Sequence, residues 1–204
     1  MKATLRRRFQ RVRDLDGIRF SVVPFAERKA EILELRSVAY EEFHRLGTYR
    51  QAENLTDPHD APSSMVIAER DGMVIGSVRL APPLAGPILN RYYPLCGSLS
   101  VLPPQTHFIE SGWGCIHPEH QGRGLFWYLV GHKLLAARAF GVPYIVGSTA
   151  ESLWPLWQSC GYRKIELSYP GMVTGIHYSA MRLELDKVLA GEGIAPVLSR
   201  VFEG

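Results

Sequence analysis

The chain has 204 residues, of which 46% are hydrophobic and 21% are charged, and its formal net charge is +3. A chain of this length and composition can bury one substantial core, so we predict a single domain over residues 1–204. The small net charge gives little reason to expect a nucleic-acid partner. The apolar runs are too short for a membrane span, and no signal-peptide core follows the basic N-terminus, so we expect a cytoplasmic protein.

The first segment, residues 1–17, is a basic N-terminal arm. It is either a solvated tail or a docking surface for an acidic protein. Its cationic residues are Lys2, Arg6, Arg7, Arg8, Arg11 and Arg13.

The first half of the chain is predicted to contain a strand, a long helix and a hairpin. Residues Ile18–Val23 alternate as a strand does, and Ala26–Leu46 carries a broad apolar stripe typical of a helix. The polar stretch 48–62 is a predicted loop that could become ordered when a ligand binds. An Asp-Gly turn then joins the β-rich runs Ser64–Glu69 and Val74–Ala81 into a hairpin.

A proline-rich stretch, residues 82–105, is expected to form an ordered loop or a short helix over a pocket. A strand at Phe108–Ile116 and a helix at Leu125–Phe140 follow it. The next elements predicted are a buried strand at Pro143–Gly147 and a short helix at Glu151–Cys160.

The C-terminal part is predicted to form a hairpin and an appended helix. The hairpin strands are Tyr162–Leu167 and His177–Leu185, and residues 187–204 form a helix interrupted between Gly191 and Pro196. The sum is an α/β (α+β) arrangement in which helices flank a central, mostly antiparallel sheet.

The three cysteines, Cys96, Cys115 and Cys160, lie far apart in the sequence and form neither a CxxC motif nor a Cys/His cluster. No disulfide framework and no zinc site are indicated, and we expect no metal.

The segment between the predicted strand and the second long helix is a candidate anion-binding elbow. Its residues are Gln121, Gly122, Arg123 and Gly124, followed by Leu125 and Phe126 at the helix start. Glycines let backbone N–H groups approach a phosphate, and the helix N-terminus adds unpaired amides and a positive dipole end. An ordinary loop between a strand and a packed helix is the alternative. The absence of GxGxxG and P-loop patterns argues against dinucleotide or ATP binding.

The elbow and the order of elements resemble the GCN5-related N-acetyltransferase (GNAT) superfamily. The elbow matches the Gln/Arg-x-x-Gly-x-Gly/Ala motif, with Phe126 at the last small position. The segment from Trp157 to Tyr162 is similar to the family's Tyr-x-x-x-Gly-Phe, with Trp157 in place of the tyrosine. The resemblance implies the GNAT acyltransferase fold with its twisted sheet, and the departure at Trp157 argues against a tyrosine general acid there.

A narrower resemblance, over about residues 30–130, is to acyl-homoserine-lactone synthases and related long-chain N-acyl amino acid synthases. The matching pieces are Leu35-Arg36-x-x-x-Tyr40, Asp57-x-x-Asp60, Gly76-Ser-Val-Arg79-Leu80-x-Pro82 and Glu110. The lactone synthases usually carry Glu-x-x-Arg on the strand where Trp113 follows Glu110 here, so the chain looks closer to the N-acyl amino acid synthases. The resemblance implies an acyl-phosphopantetheine donor on acyl carrier protein, with acyl-CoA as the other option, and an amino-acid acceptor.

Acyl transfer to an amine requires a base and donors for the oxyanion. Glu110 is the expected base, directly or through a water, and a surface glutamate is the alternative. Backbone N–H groups of Cys115, Ile116 and His117 are the oxyanion candidates. The Cys115 thiol is more typical of a small core residue than of an acyl-carrying nucleophile, and His117 and His120 are second-choice bases.

Arg36 and Arg79 are expected either to bind the acceptor carboxylate or to form an ion pair with Asp57 or Asp60, and both roles are compatible. Tyr40 and Trp113 belong to an aromatic set, some of which could line an acyl tunnel. The bulk of Phe126 suggests that the elbow holds one phosphodiester instead of the pyrophosphate of coenzyme A.

The sequence therefore predicts an N-acyltransferase that moves a long-chain fatty acyl group from acyl carrier protein to an amino acid. The alternatives are an acetyl-CoA-dependent N-acetyltransferase of a small amine and a non-catalytic regulatory module that binds acyl thioesters. Acyl-homoserine-lactone synthesis is disfavoured by the missing strand arginine.

Overall fold

The protein is described by a computed structural model over residues 17–44, 54–56, 58–82, 107–170 and 175–203. Its centre is a seven-stranded sheet with helices on both faces. The strands lie in the order β1-β2-β3-β4-β5-β7-β6. The strands are β1 Arg19–Pro24, β2 Ser64–Arg70, β3 Met73–Ala81, β4 Phe108–Ile116, β5 Tyr144–Ala150, β6 Arg163–Pro170 and β7 His177–Glu184. The helices are α1 Lys29–His44, α2 Leu125–Arg138, α3 Trp154–Gln158, α4 Leu185–Leu189 and α5 Pro196–Glu203.

The prediction of a mostly antiparallel sheet is confirmed, and among the described strands only β4 and β5 pair in parallel. The predicted hairpin is β2 and β3. Its turn residues Asp71 and Gly72 have φ of 51° and 82°, which the two-residue turn of a right-twisted hairpin requires.

The two long helices pack on opposite faces of the sheet. Alternate residues of β2 point to opposite faces, so its side chains separate the two cores. Met65 and Ile67 pack with α1 residues Ile32 and Leu35. On the other face, the residues that pack together are Val66, Ala68, Val78, Leu80, Leu125, Leu129 and Leu134.

Several element boundaries differ from those predicted from the sequence. After Pro24, residues Phe25–Arg28 form a 3₁₀ turn, so α1 begins at Lys29. The predicted C-terminal helix is two helices, and the first of them begins at Leu185 directly after β7. Residues 1–16, Leu46, Asp57, Cys96 and the proline-rich segment 83–106 lie outside the described residues.

Strands β4 and β5 separate halfway along their length. Their parallel pairing runs from Phe108 opposite Tyr144 to Ser111 opposite Gly147 and then stops. Beyond that point β4 continues on β3 as far as Ile116, while β5 continues on β7 as far as Ala150. The sheet therefore has a wedge-shaped opening between residues 112–116 and 148–150.

Candidate active site

A cavity of about 500 Å³ occupies the wedge. Residues of α1 that line it include Tyr40 and His44, and residues of α2 include Phe126 and Leu129. Because α1 and α2 pack on opposite faces, the cavity passes through the sheet at the place where the strands separate. Its volume falls in the range of roughly 300–1,000 Å³ that is usual for small-molecule sites.

The predicted elbow lies at the mouth of this cavity, where Gln121, Gly122 and Gly124 belong to the wall. Gly122 and Gly124 have φ of 70° and 84°, and a Cβ added to either would meet no atom within 4 Å. The requirement for glycine is therefore conformational: both residues adopt the left-handed backbone. Gly124 is the N-cap of α2, and Leu125 and Phe126 of the first helical turn line the cavity. The Trp127 N–H already donates to the Gly124 carbonyl at 3.0 Å, so the amides of Leu125 and Phe126 are the ones that a helix start leaves for a ligand.

A side-chain hydrogen bond fixes the elbow to the end of β4. Gln121 Nε2 donates to the carbonyl oxygen of Ile116 at 3.0 Å. The glutamine that the sequence motif singles out thus joins the predicted phosphate site to the predicted oxyanion site.

The three amides predicted for the oxyanion are not equivalent. The His117 N–H donates to the Ile75 carbonyl at 2.9 Å, so this backbone amide is already used. Ile116 lies opposite Gly76 in the neighbouring position of the ladder. Hydrogen-bonded pairs alternate with non-hydrogen-bonded pairs in antiparallel strands, so the Ile116 N–H points away from β3 and toward the wedge. The geometry therefore favours Ile116 among the three.

Cys115 lines the cavity, and its side chain packs in the core on the α1 side. It is buried among the α1-side core residues, and its Sγ lies 3.4 Å from the Ser77 hydroxyl. Burial raises the pKa of the Cys115 thiol, which keeps it protonated near neutral pH. Its surroundings fit a small core residue better than a nucleophile.

A buried ionic cluster lies beneath the α1 side of the cavity. Asp60 accepts hydrogen bonds from Arg36 at 2.7 and 3.0 Å and from Arg79 at 2.8 Å. Arg36 also donates to the Leu55 carbonyl at 2.8 Å. The predicted ion pair with Asp60 is therefore present, whereas neither arginine lines the cavity. Their contact with an acceptor carboxylate stays a prediction.

Trp113 separates that cluster from the cavity. Its ring lies 4.5 Å from the Arg36 guanidinium carbon and packs edge-on against Tyr40, and both aromatic residues line the cavity. Trp113 has φ of 51°, which is uncommon for a bulky residue, and it lies where the β3–β4 register shifts. Such strain persists where the surroundings hold it, and it concentrates at functional sites.

Glu110 is buried, with 6% of its surface exposed, which excludes the alternative of a surface glutamate. It lies opposite Ala81 on the face that carries Arg79, two positions before the wedge begins at residue 112. It does not belong to the cavity wall, so its role as a base stays a prediction.

Two histidines of the cavity wall are candidate proton acceptors. Burial is the main cause that lowers the pKa of His120, and the neighbouring His117 lowers it further. Burial also lowers the pKa of His44, the last residue of α1. A lowered pKa favours the neutral imidazole, which is the form that accepts a proton. His44 was not predicted from the sequence, although its place at the end of an apolar helical stripe could have indicated it.

The described residues contain no group of three or more His, Cys, Asp or Glu side chains that could hold a metal ion. Within the same part of the chain, every helix is too short or too polar to cross a membrane.

No protein-family model matches the chain, and no curated protein matches its sequence. Solved structures do match. The CoA-dependent acyl-homoserine lactone synthase BjaI, solved with SAM and isopentyl-CoA, superposes with a TM-score of 0.68 at 15% identity, covering 92% of this chain and 100% of that chain. TofI, in complex with an inhibitor and MTA, gives 0.65 at 18% identity over 88% of this chain and 98% of that chain. An acyl-CoA N-acyltransferase from Pseudomonas aeruginosa gives 0.62 at 17% identity over 81% and 99%.

The predicted fold class is thus confirmed: the chain has the fold that GNAT-family acetyltransferases share with acyl-homoserine lactone synthases. At these identities the likeness establishes the fold. The particular reaction depends on the chain's own residues.

Proposed function

We propose that the protein is an N-acyltransferase that moves a long-chain fatty acyl group from the phosphopantetheine thioester of an acyl carrier protein to the amine of an amino acid. The observation that carries this proposal is the wedge between β4 and β5, which joins a phosphate-binding elbow to a cavity through the sheet. An extended acyl-phosphopantetheine arm needs a polar site for its phosphate, backbone groups along its length and an apolar site for its acyl chain. The elbow, the end of β4 beyond its pairing with β5 and the apolar wall of the cavity support these three roles.

The elbow supports a donor with a phosphate ester. Its glycines and the first turn of α2 offer backbone N–H groups to an anion. The ring of Phe126 packs edge-on against Trp127 and Trp157, with both pairs of ring centroids 5.2 Å apart. This aromatic cluster leaves less room for a second phosphate than a small residue would, which favours a single phosphodiester.

The wall of the cavity supports a long acyl chain. Apolar side chains of α2, α3 and β7 line its deeper part, and each buried CH₂ group contributes about 0.8 kcal/mol. These residues include Leu129, Val130, Leu156, Trp157 and Met181. A long chain would gain far more from this surface than an acetyl group.

The chemistry proposed is direct attack by a neutral amine on the thioester carbonyl. The Ile116 N–H hydrogen-bonds the oxyanion as the tetrahedral adduct forms. Glu110 accepts the proton of the amine through a water, since it is buried two strand positions from the wedge and does not line the cavity itself. His44 and His120 are the alternative acceptors.

The acceptor is proposed to enter from the α1 side, past the packed rings of Tyr40 and Trp113. Two guanidinium groups share the carboxylate of Asp60 there, so these three residues carry a net positive charge behind the Trp113 ring. That charge attracts an acceptor carboxylate. An amine without a carboxylate would lack this attraction.

The donor preference is tested with purified protein and three donors: palmitoyl-acyl carrier protein, palmitoyl-CoA and acetyl-CoA. The acceptors are a mixture of amino acids and, as the matched control, the corresponding amino-acid amides, which lack the carboxylate. We expect thiol release and N-palmitoyl amino acids, with kcat/KM roughly tenfold or more higher for palmitoyl-acyl carrier protein than for acetyl-CoA.

The other outcomes separate the competing functions. Turnover with acetyl-CoA that matches or exceeds turnover with the palmitoyl donors would establish the N-acetyltransferase, which the glycines of the elbow also fit. Tight binding of palmitoyl-acyl carrier protein without any amide product would establish a regulatory module. Equal turnover of amino acids and their amides would contradict the proposed role of the arginines.

A further inference from the structure

Lys133 is a buried lysine that has no role in the acyl transfer proposed above. It lies on α2 with none of its surface exposed, and its Nζ donates to the Tyr162 hydroxyl at 2.7 Å. Its Nζ also lies 4.7 Å from the centre of the Trp157 ring. Burying a lysine among apolar residues is unfavourable, so a buried lysine beside a cavity is a candidate functional group.

A chain of hydroxyl groups connects Lys133 to the cavity. Tyr162 is fully buried, and its hydroxyl accepts the hydrogen bond from Lys133 and contacts the side chain of Ser111. Ser111 is the last residue of β4 that pairs with β5, and it lines the cavity where the wedge opens. Because Lys133 donates to the phenol oxygen, the phenol proton is available to Ser111, whose own proton can then point into the cavity.

We propose that Lys133, Tyr162 and Ser111 form a proton relay that protonates the thiolate leaving group of the acyl donor. This inference rests on the proposed function, because it concerns the collapse of the adduct formed there. When the C–S bond breaks, the sulfur takes the Ser111 hydroxyl proton, Ser111 takes the Tyr162 phenol proton, and Tyr162 takes a proton from the Lys133 ammonium. Lys133 ends as a neutral amine, and the acceptor's proton leaves separately through the base.

The sequence departure at Trp157 agrees with this relay. The resemblance places a tyrosine at this position, and here an indole that cannot donate a phenol proton lines the cavity. Tyr162 stands behind it, edge-on to Trp157 with the ring centroids 5.4 Å apart. A phenol therefore exists at the site, but it reaches the cavity through Ser111.

The electrostatics of the relay suit proton transfer near neutral pH. Burial lowers the pKa of Lys133 to about 7. The titratable groups that face it are Tyr162, whose pKa burial raises above its usual value, and Cys160, whose pKa burial raises to about 12. Both of these stay protonated, so Lys133 is the member of the cluster that exchanges a proton near pH 7.

The test compares Tyr162→Phe and Lys133→Met with the wild-type protein, using a palmitoyl thioester and the matching selenoester of the same carrier. A selenol is a much stronger acid than a thiol, so it leaves without a proton donor. We expect each variant to lose about 100-fold in kcat with the thioester, with KM little changed, and to recover most of the loss with the selenoester. The wild-type kcat should fall as pH rises through about 7, the pKa to which burial lowers Lys133, and the variants should lack this fall.

Cys160→Ala is the matched control, since it changes the same buried cluster without removing a relay group, and it should keep the wild-type pH profile. Wild-type kcat and pH profile in Tyr162→Phe would overturn the relay alone. Equal losses with the thioester and the selenoester would also overturn it, since they would indicate a structural defect. A wild-type protein that releases thiol from no acyl thioester would overturn the proposed function and the relay together.

Discussion

Among the described residues, buried charged side chains have different surroundings at two places. Arg36 and Arg79 share the Asp60 carboxylate through hydrogen bonds of 2.7–3.0 Å, so one of their two positive charges is balanced locally. Lys133 faces the rings of Trp157 and Tyr162 and donates to the Tyr162 phenol, which compensates a charge only weakly. The arginine cluster packs against the Trp113 ring, whereas burial lowers the pKa of Lys133 and favours its neutral form.

Replacing Lys133 by methionine should stabilise the protein at neutral pH. Burial lowers the pKa of Lys133 from 10.5 to about 7, so between these values the unfolded chain binds the proton more readily than the folded one. The wild-type stability contributed by this group therefore rises as pH increases from about 7 to about 10.5. We expect Lys133→Met to raise the free energy of unfolding by about 1–3 kcal/mol at pH 7. Each kcal/mol should raise Tm by about 2–4 °C, and the difference from wild type should shrink toward pH 10.

The control for this prediction is Lys164→Met. Lys164 is exposed and pairs with Glu151 at 2.6 Å, so its loss should leave Tm almost unchanged and add no pH-dependent gap. Thermal unfolding of the three proteins between pH 7 and 10 measures both effects. A Lys133→Met variant that is less stable than wild type at pH 7 would show that the ammonium is well solvated or well paired.

At the scale of elements, the elbow and the first turn of α2 form one unit at the mouth of the cavity. Two residues with positive φ turn the chain so that the first helical turn faces the cavity mouth. Gly141, after the other end of the same helix, has φ of 69° and equally open surroundings. The glycines next to the two ends of α2 therefore have the same left-handed backbone conformation, but only Gly124 lines the cavity.

Gly124→Ala should weaken donor binding, and Gly141→Ala should not. An L-residue in the left-handed region loses roughly 1–2 kcal/mol, so both variants should show a similar drop in Tm. Only Gly124→Ala changes the amides at the cavity mouth, and we expect its KM for palmitoyl-acyl carrier protein to rise about tenfold or more. Equal KM values in the two variants would remove the elbow from donor binding.

The elements were predictable from the sequence because their signals are local. The Asp-Gly turn, the apolar stripe of α1 and the glycines around α2 each act through neighbouring residues. The separation of β4 from β5 has no local signal in the sequence, since residues 108–116 form a regular strand pattern by themselves. The shift of register near Trp113 depends on where β3 pairs, which sequence periodicity does not encode.

At the scale of the whole molecule, the proposed function places the donor and the acceptor on different faces of the sheet, which the cavity joins. The elbow and α2 lie on one face, and Tyr40, Trp113 and the arginine cluster lie on the other. Both groups of residues were predicted from the sequence, with Asp57 or Asp60 as the possible ion-pair partner of Arg36 and Arg79. Lys133 was not singled out within the predicted helix Leu125–Phe140, because the burial of its side chain depends on how Tyr162 and Trp157 pack against α2.

Mass spectrometry of organic extracts from cells that overexpress the chain tests the central claim most directly. We predict a new series of N-acyl amino acids with fatty tails, and we predict that cells expressing Glu110→Gln at the same level contain at least about tenfold less of it, as expected for loss of a general base. The absence of any such series from cells that contain folded wild-type protein, together with turnover of acetyl-CoA by the purified protein, would contradict the account. A full series from the Glu110→Gln cells would leave the reaction standing and would remove Glu110 from it.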